Sequence, residues 1–192
     1  MTCRLVSVVL AMQLVATAPA CDSSDEACTG PEILPHLSPV NLGNFFPLGQ
    51  GETPDPGSPE KVPYEVTLFL RNTCQKPLVI EAACIVGDAH NGDEDDPAFT
   101  IEGPVPKTVA SGDVAAVRLT YDSDKFNKDL DDDKTRDPDQ IAVVIQSNAK
   151  NFPTLVVPVC AMIIPNDEEP VAFVCESPLT VPAGKTDASY CR

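Results

Sequence analysis

Residues 64–72 read YEVTLFLRN and alternate: Tyr64, Val66, Leu68 and Leu70 share one phase, Glu65, Thr67 and Arg71 the other. A period of two belongs to a pleated strand with one face in a core and one in water. It does not fit a helix, whose apolar stripe recurs every three to four residues. The same signature returns along the chain. VAAVRLTYD (114–122) puts Ala115, Val117, Leu119 and Tyr121 in phase. PLVIEAACIV (77–86) starts in phase at Leu78 and Ile80, then slips by one residue to Ala83 and Ile85, which predicts a bulge. PAFTI is a short strand, and QIAVVIQS (140–147), apolar in both phases, is expected to be central. TLVVPVCAMII (154–164) is expected at a sheet edge, because Pro158 cannot donate to a ladder. The Pro-broken run ILPHLSPVNLGNFFPL (33–48) is expected to be an irregular edge strand.

Outside the N-terminus no stretch carries a helical period with caps. Several short strands separated by turn residues therefore predict an all-β fold, an immunoglobulin-like antiparallel β-sandwich of about seven strands. A small barrel is the competitor; a strand that reads as an edge favours the sandwich, since barrels have none. The apolar fraction of 43% suffices for one core in a chain of 192 residues.

The first twenty residues read differently. MTCRLVSVVLAMQLVATAPA carries one positive charge, Arg4, an apolar run from Leu5 to Ala18, and small residues Ala18, Pro19 and Ala20. These are the parts of a secretory signal peptide, and a run of about 14 residues is too short to span a bilayer. The following Cys21 opens an abrupt polar stretch, CDSSDEACTG. Ala18, Ala20 and Cys21 resemble the lipobox of bacterial lipoproteins, although the family most often has Leu where Ala18 stands. The resemblance implies a Cys21 that is acylated and becomes the mature N-terminus, anchored in a membrane through its acyl chains and facing the periplasm or cell surface. Cleavage after Ala20 by an ordinary signal peptidase, giving a soluble secreted protein, is the alternative. The expected organisation is a signal peptide over 1–20, an acidic tether over 21–32, the sandwich over 33–165 and a C-terminal extension over 166–192.

Removing Cys3 with the leader and assigning Cys21 to lipid leaves an even set, Cys28, Cys74, Cys84, Cys160, Cys175 and Cys191. An exported compartment is oxidising, so up to three disulfides are expected, from fifteen possible pairings. Cys175 with Cys191 is the favoured pair, since the C-terminal segment has little core of its own. In the chain-entropy view such a loop gains about 3 kcal/mol. Cys74 and Cys84 flank one extended segment and are too far apart to pair without a sharp bend. Zinc is not indicated: there is no Cys-x-x-Cys, and neither His36 nor His90 stands at ligand spacing from a cysteine.

Charge excludes further classes. A formal net charge of −16 repels nucleic acid and anionic headgroups alike. Asp129, Asp131 and Asp133 alternate as the first ligands of a calcium loop do, but no Gly follows and Gln140 stands where the bidentate Glu would be. The Asp-rich loops at 88–96 and 122–139 are expected to be solvated surface. Calcium at the three aspartates is kept as the alternative, and with it a calcium-dependent surface adhesion module. No histidine sits in a nucleophile–base motif, no Gly-rich phosphate loop follows a strand, and there is no Trp to hold a sugar ring. No catalytic residue and no cofactor are expected.

The strand order also carries a resemblance. PVNLGNF, VTLFLRNTCQKPLVIEAACIVGD, AFTI, VASGDVAAVRLTYD and AVVIQSNAKNFPTLVVPVCAMI resemble, in sequence and order, the Hydin-type domains related to major sperm protein, labelled choice-of-anchor D in bacteria. The corresponding short motifs are Asn72-Thr73-Cys74 (with Cys for the usual Gly), Leu78-Val79-Ile80 and Ser147-Asn148. The resemblance spans roughly residues 39–164. It implies an immunoglobulin-like sandwich with an interaction or scaffold role towards an unknown protein or glycan partner, and no enzyme activity.

Overall fold

The computed structural model describes residues 28–46, 62–87, 98–102, 108–122, 138–182, 184 and 190–191. The expected leader, Cys21, His90 and the three candidate calcium aspartates lie outside the described residues.

Among the described residues there are nine strands and no helix, in two facing sheets. Ile33–Pro35 (β1), Tyr64–Asn72 (β3), Val114–Tyr121 (β7) and Phe99–Glu102 (β5) form a four-stranded sheet in the order β1-β3-β7-β5. Val40–Phe45 (β2), Thr154–Ile163 (β9), Asp139–Ser147 (β8), Leu78–Val86 (β4) and Thr108–Val109 (β6) form a five-stranded sheet in the order β2-β9-β8-β4-β6. This is the immunoglobulin-like sandwich that the alternation predicts. It has two strands more than expected: the run 33–48 supplies two, β1 and β2, and the two-residue β6 is the other addition. One pair, β2 with β9, is parallel and departs from the antiparallel expectation.

The period-two reading fixes the core. Leu68, Leu70, Ala115, Val117, Leu119 and Tyr121 point inward from the four-stranded sheet. Ile141, Val143, Ile145, Val157, Val159 and Ile163 meet them from the other. Each buried Val, Leu or Ile among them contributes about 1.5–3 kcal/mol by leaving water. The predicted phase slip in β4 is a register shift against β8 between Ile80 and Ala82.

Two expectations change in detail. The run 33–48 is not one edge strand but two, each at the edge of a different sheet, with the Ser38–Pro39 peptide cis between them. The second concerns β9, which is not an edge strand: it lies between β2 and β8. The proline argument holds only locally. Pairing with β2 begins at Val159, one residue after Pro158, so the strand from Thr154 to Pro158 has a partner on the β8 side alone. Pro158 stands where no second ladder demands its N–H.

QIAVVIQS is central, as its composition predicts, and the structure gives the reason for apolarity in both phases. Ile141, Val143 and Ile145 face the core, while Ala142 and Val144 face the opposite way and are equally buried. Cys160 and Met162 on β9 are buried on that same outer face. The chain after Ile164 crosses it. Asn44 holds Val171 by both amide atoms, its Nδ2 donating to the Val171 carbonyl (2.8 Å) and its Oδ1 accepting the Val171 N–H (3.3 Å). Asn41 Nδ2 donates to the Phe173 carbonyl, and the Glu176 N–H donates to Gln140 Oε1. Gly87 at the end of β4 adopts φ of +124°, and a Cβ there would lie 3.0 Å from Pro178. The C-terminal run is therefore a strap over the outer face of the five-stranded sheet.

Candidate functional site

The six cysteines of the expected set form three disulfides, and the pairing corrects the expectation. Cys175 does not pair with Cys191. Cys28 bonds Cys74, Cys84 bonds Cys191, and Cys160 bonds Cys175. The C-terminal segment has little core of its own and borrows the sheet instead. Cys160 and Cys84 both project from the outer face, on β9 and β4, and each takes one cysteine of the strap. In the chain-entropy view, closures of 15 and 107 residues are worth about 3 and about 4.8 kcal/mol, and the 46-residue closure by Cys28–Cys74 about 4 kcal/mol. Three disulfides are the mark of an oxidising, exported environment.

Cys28, Cys74 and the Glu32 carboxylate come close enough together to suggest a metal centre. With both sulfurs in a disulfide neither is a thiolate, so the cluster offers one carboxylate oxygen, and Thr73 Oγ1 already approaches it (3.4 Å). The group acts as a clasp that fixes the N-terminal segment to the loop between β3 and β4.

Asparagine side chains provide most of the polar architecture at this end. Asn72, fully buried, donates through Nδ2 to the carbonyls of Lys76, Val109 and Ala110, while its Oδ1 accepts the Cys74 N–H. Asn148 Oδ1 accepts the Val79 N–H, and its own N–H donates to the Val79 carbonyl. Asn151 treats Ile33 in the same way with its side chain, closing the outer edge of β1. In each case an amide stands in for a neighbouring strand, which satisfies backbone groups that an unpaired edge would leave open.

At the opposite end Tyr121, fully buried in the core, donates its hydroxyl proton to Asp139 Oδ2 (2.6 Å). This hydrogen bond joins the two sheets, β7 to β8. Burial, and then the Asp139 charge and hydrogen bond, push the Tyr121 pKa far above the ordinary phenol value. The ring packs between Phe45 (centroids 5.2 Å apart) and Phe99 (4.7 Å). A phenol so placed is held protonated and out of reach of solvent, which suits a structural tie.

His36 accepts the Phe69 N–H at Nδ1 (3.0 Å), donates its own backbone N–H to the Phe69 carbonyl, and meets the Phe69 ring edge-on. It acts as an exposed continuation of β1 along β3. The outer face of the four-stranded sheet, on which it lies, also exposes Leu34, Phe69 and Val114. No helix among the described residues is long and apolar enough to cross a membrane.

Charge is unevenly placed. The β3–β4 loop, the β6–β7 turn, the β8–β9 loop and residues 28–32 gather at one end of the sandwich, joined by Lys76 Nζ to the Thr29 carbonyl, Lys150 N–H to the Pro31 carbonyl and Gly112 N–H to the Asn72 carbonyl. Arg71, Lys76 and Lys150 stand at this end with Glu32 and Asp113. Glu65, Asp122, Asp139, Asp167, Glu168 and Glu169 lie towards the other end, and Arg118 stands between the two, across the sheet from Thr67 and Glu102.

No family profile matches the chain, and no curated protein matches it. Among solved structures, a Porphyromonas gingivalis W83 protein of unknown function superposes with a TM-score of 0.45 at 15% identity, over 71% of this chain and 48% of that one. This chain thus spans about half the length of that structure. A human CEP192 ASH/PapD-like domain (PapD-like domain 7) gives 0.43 at 13% identity, over 85% of this chain and 100% of the domain. The Pseudomonas aeruginosa CupB2 chaperone gives 0.38 at 18% identity, over 68% and 55% of the respective chains.

Proposed function

We propose that this is an exported lipoprotein of the bacterial cell envelope, anchored through acyl chains on Cys21, whose sandwich is a non-catalytic binding or structural module of the Hydin type. Cysteine pairing carries the reading. All six cysteines from Cys28 onward are consumed in three disulfides, so Cys21, behind a leader and an Ala-Pro-Ala run, has no partner among them. A secreted chain cut after Ala20 would carry one odd thiol, whereas an acylated Cys21 leaves none. Two or more acyl chains hold a protein on a bilayer where one alone does so only marginally. The partner of the module is an envelope protein or glycan.

Intact-mass measurement of the mature protein, reduced and unreduced, tests this directly. The expected result is a chain starting at Cys21, heavier than its sequence by two or three acyl groups, that gains six hydrogens on reduction. A mass equal to the bare sequence from Cys21 refutes lipidation and leaves the soluble secreted form. Replacing Cys21 with Ser should move the protein from the membrane to the soluble fraction.

A further inference from the structure

We propose that the outer face of the four-stranded sheet is a dimer interface, covered by the same face of a second copy of this chain across a two-fold axis that lies in the plane of the face and runs perpendicular to the strands. The two outer faces of the sandwich are treated differently. The strap supplies a third layer over the five-stranded sheet, whereas no described segment crosses the four-stranded one. Leu34 (54% exposed), Phe69 (45%) and Val114 (55%) stand open there on neighbouring strands, β1, β3 and β7. Charged groups are few among them for a chain of net charge −16. The outward positions of β3 and β7 hold Arg71, Arg118 and Glu65, with no Asp and no Lys. Apolar and arginine side chains without Lys or Asp have the composition of an interface core.

Charge placement selects the second copy. Arg71 and Glu65 both point outward from β3, six residues and so about 20 Å apart, at opposite ends of the face. Neither has an ion-pair partner among the described residues. A surface of one sign would attract one end of this face and repel the other; the face itself answers both. A two-fold axis level with Leu68 lays β3 antiparallel over its own copy, so Arg71 meets Glu65 of the second copy, twice over, and Phe69 packs on Thr67. Thr67 pairs with Arg118 and Phe69 with Ala116 in the sheet. The same axis therefore sets Arg118 over the small Ala116 of the second copy, beside its Phe69 ring, where a guanidinium stacks well. An axis along the strands would instead crowd Arg71 against Arg71 and Glu65 against Glu65. The face measures about 20 Å by 23 Å, small for a specific interface, so the dimer is a weak one. It stands without the acyl anchor. With the anchor, chains on one bilayer meet at raised effective concentration, and an axis normal to the bilayer sets both clasp ends at one height.

Sedimentation equilibrium of the full mature chain carrying Cys21→Ser, with its disulfides intact and no acyl group, reads the oligomeric state from micromolar to near-millimolar concentration. A monomer–dimer equilibrium is expected, with nothing larger, because a closed two-fold interface stops at two. Arg71→Glu and Glu65→Arg should each weaken the dimer by at least about tenfold, since each sets like charges face to face twice across the axis. The two variants, each monomeric alone, should dimerise when mixed, and Arg71→Glu combined with Glu65→Arg in one chain should dimerise like the wild type. Misfolding of a variant does not give that recovery. A chain that stays monomeric throughout refutes the proposal. So does a dimer that both single variants leave intact, which places the contact on another face, and so does a mixture of the two variants that stays monomeric. In the producing host a photo-crosslinker at residue 69 should join two copies of the chain; a cross-link to a different protein alone gives the face to that protein and overturns the proposal.

Discussion

The Tyr121–Asp139 bond predicts a specific failure at alkaline pH. In the unfolded chain the Tyr121 phenol ionises near pH 10. In the folded chain its pKa lies far higher, first because of burial and then because of the Asp139 charge and hydrogen bond. Above pH 10 the unfolded state therefore binds fewer protons than the native state, and stability falls as pH rises. The contribution is fully present below pH 10. Its loss from this residue is about 0.4 kcal/mol at pH 10, about 1.4 kcal/mol at pH 11 and about 2 kcal/mol at pH 11.5.

Tyr121→Phe isolates that contribution. At pH 7 the variant loses a buried hydrogen bond to a carboxylate, a cost of about 1.5–3 kcal/mol. It has no phenol to ionise, so the wild-type advantage should shrink by about 2 kcal/mol between pH 9 and pH 11.5 and nearly vanish at the upper end. Urea unfolding of both proteins across that range, with the difference taken at each pH, cancels the lysines and other tyrosines they share. A wild-type advantage that stays constant with pH would refute the reasoning, because it would mean that Tyr121 ionises as readily in the fold as outside it.

Asn72→Ala should cost about 2–4 kcal/mol in the same assay, since it strands the Cys74 N–H in a buried turn and takes a donor from the Lys76, Val109 and Ala110 carbonyls. Gly87→Ala should destabilise by more than Gly112→Ala, although both carry positive φ. A methyl at Gly87 meets Pro178 and the Gln140 carbonyl, whereas nothing lies within 4 Å at Gly112. Comparative chemical denaturation measures the gap. Thr120→Val should be neutral or stabilising by up to about 1 kcal/mol, because the buried Thr120 hydroxyl has no hydrogen-bond partner. Proteolysis without reduction should yield peptides linking Cys160 to Cys175 and Cys84 to Cys191; a Cys175–Cys191 peptide would refute the strap.

The sequence made strand phases legible because alternation is a local property that a single face of one strand reveals. Both phases of YEVTLFLRN and VAAVRLTYD, and the slip after Ile80, needed no knowledge of partners. The edge assignment of β9 went wrong because edge status depends on what lies alongside. Pro158 does lack a second neighbour, but β2 joins the ladder one residue later, and that parallel partner comes from more than a hundred residues upstream. Asn72 and Asn148 were visible as motif letters, but their roles were not. An asparagine that mimics a peptide group looks in sequence like any turn residue, and only the fold brings Val109 and Val79 to it.

Cysteine pairing shows the same boundary at a further remove, and it also exposes a signal that was there to be used. A strand apolar in both phases must be covered on both faces, and a two-layer sandwich covers only one. Ala142 and Val144 therefore demanded a third layer, and Met162 beside Cys160 extended the demand to β9. After Ile164 the chain has no alternating strand to spend elsewhere, and its cysteines at 175 and 191 match the two cysteines, 84 and 160, that fall on the outward phase of β4 and β9. The strap is thus implied by the apolar excess of β8. Reducing only the Cys84–Cys191 and Cys160–Cys175 bonds should uncover that face and raise binding of an apolar dye, with the inter-sheet core and its Tyr121–Asp139 tie still formed. Loss of both together would mean that the strap and the sandwich are one cooperative unit.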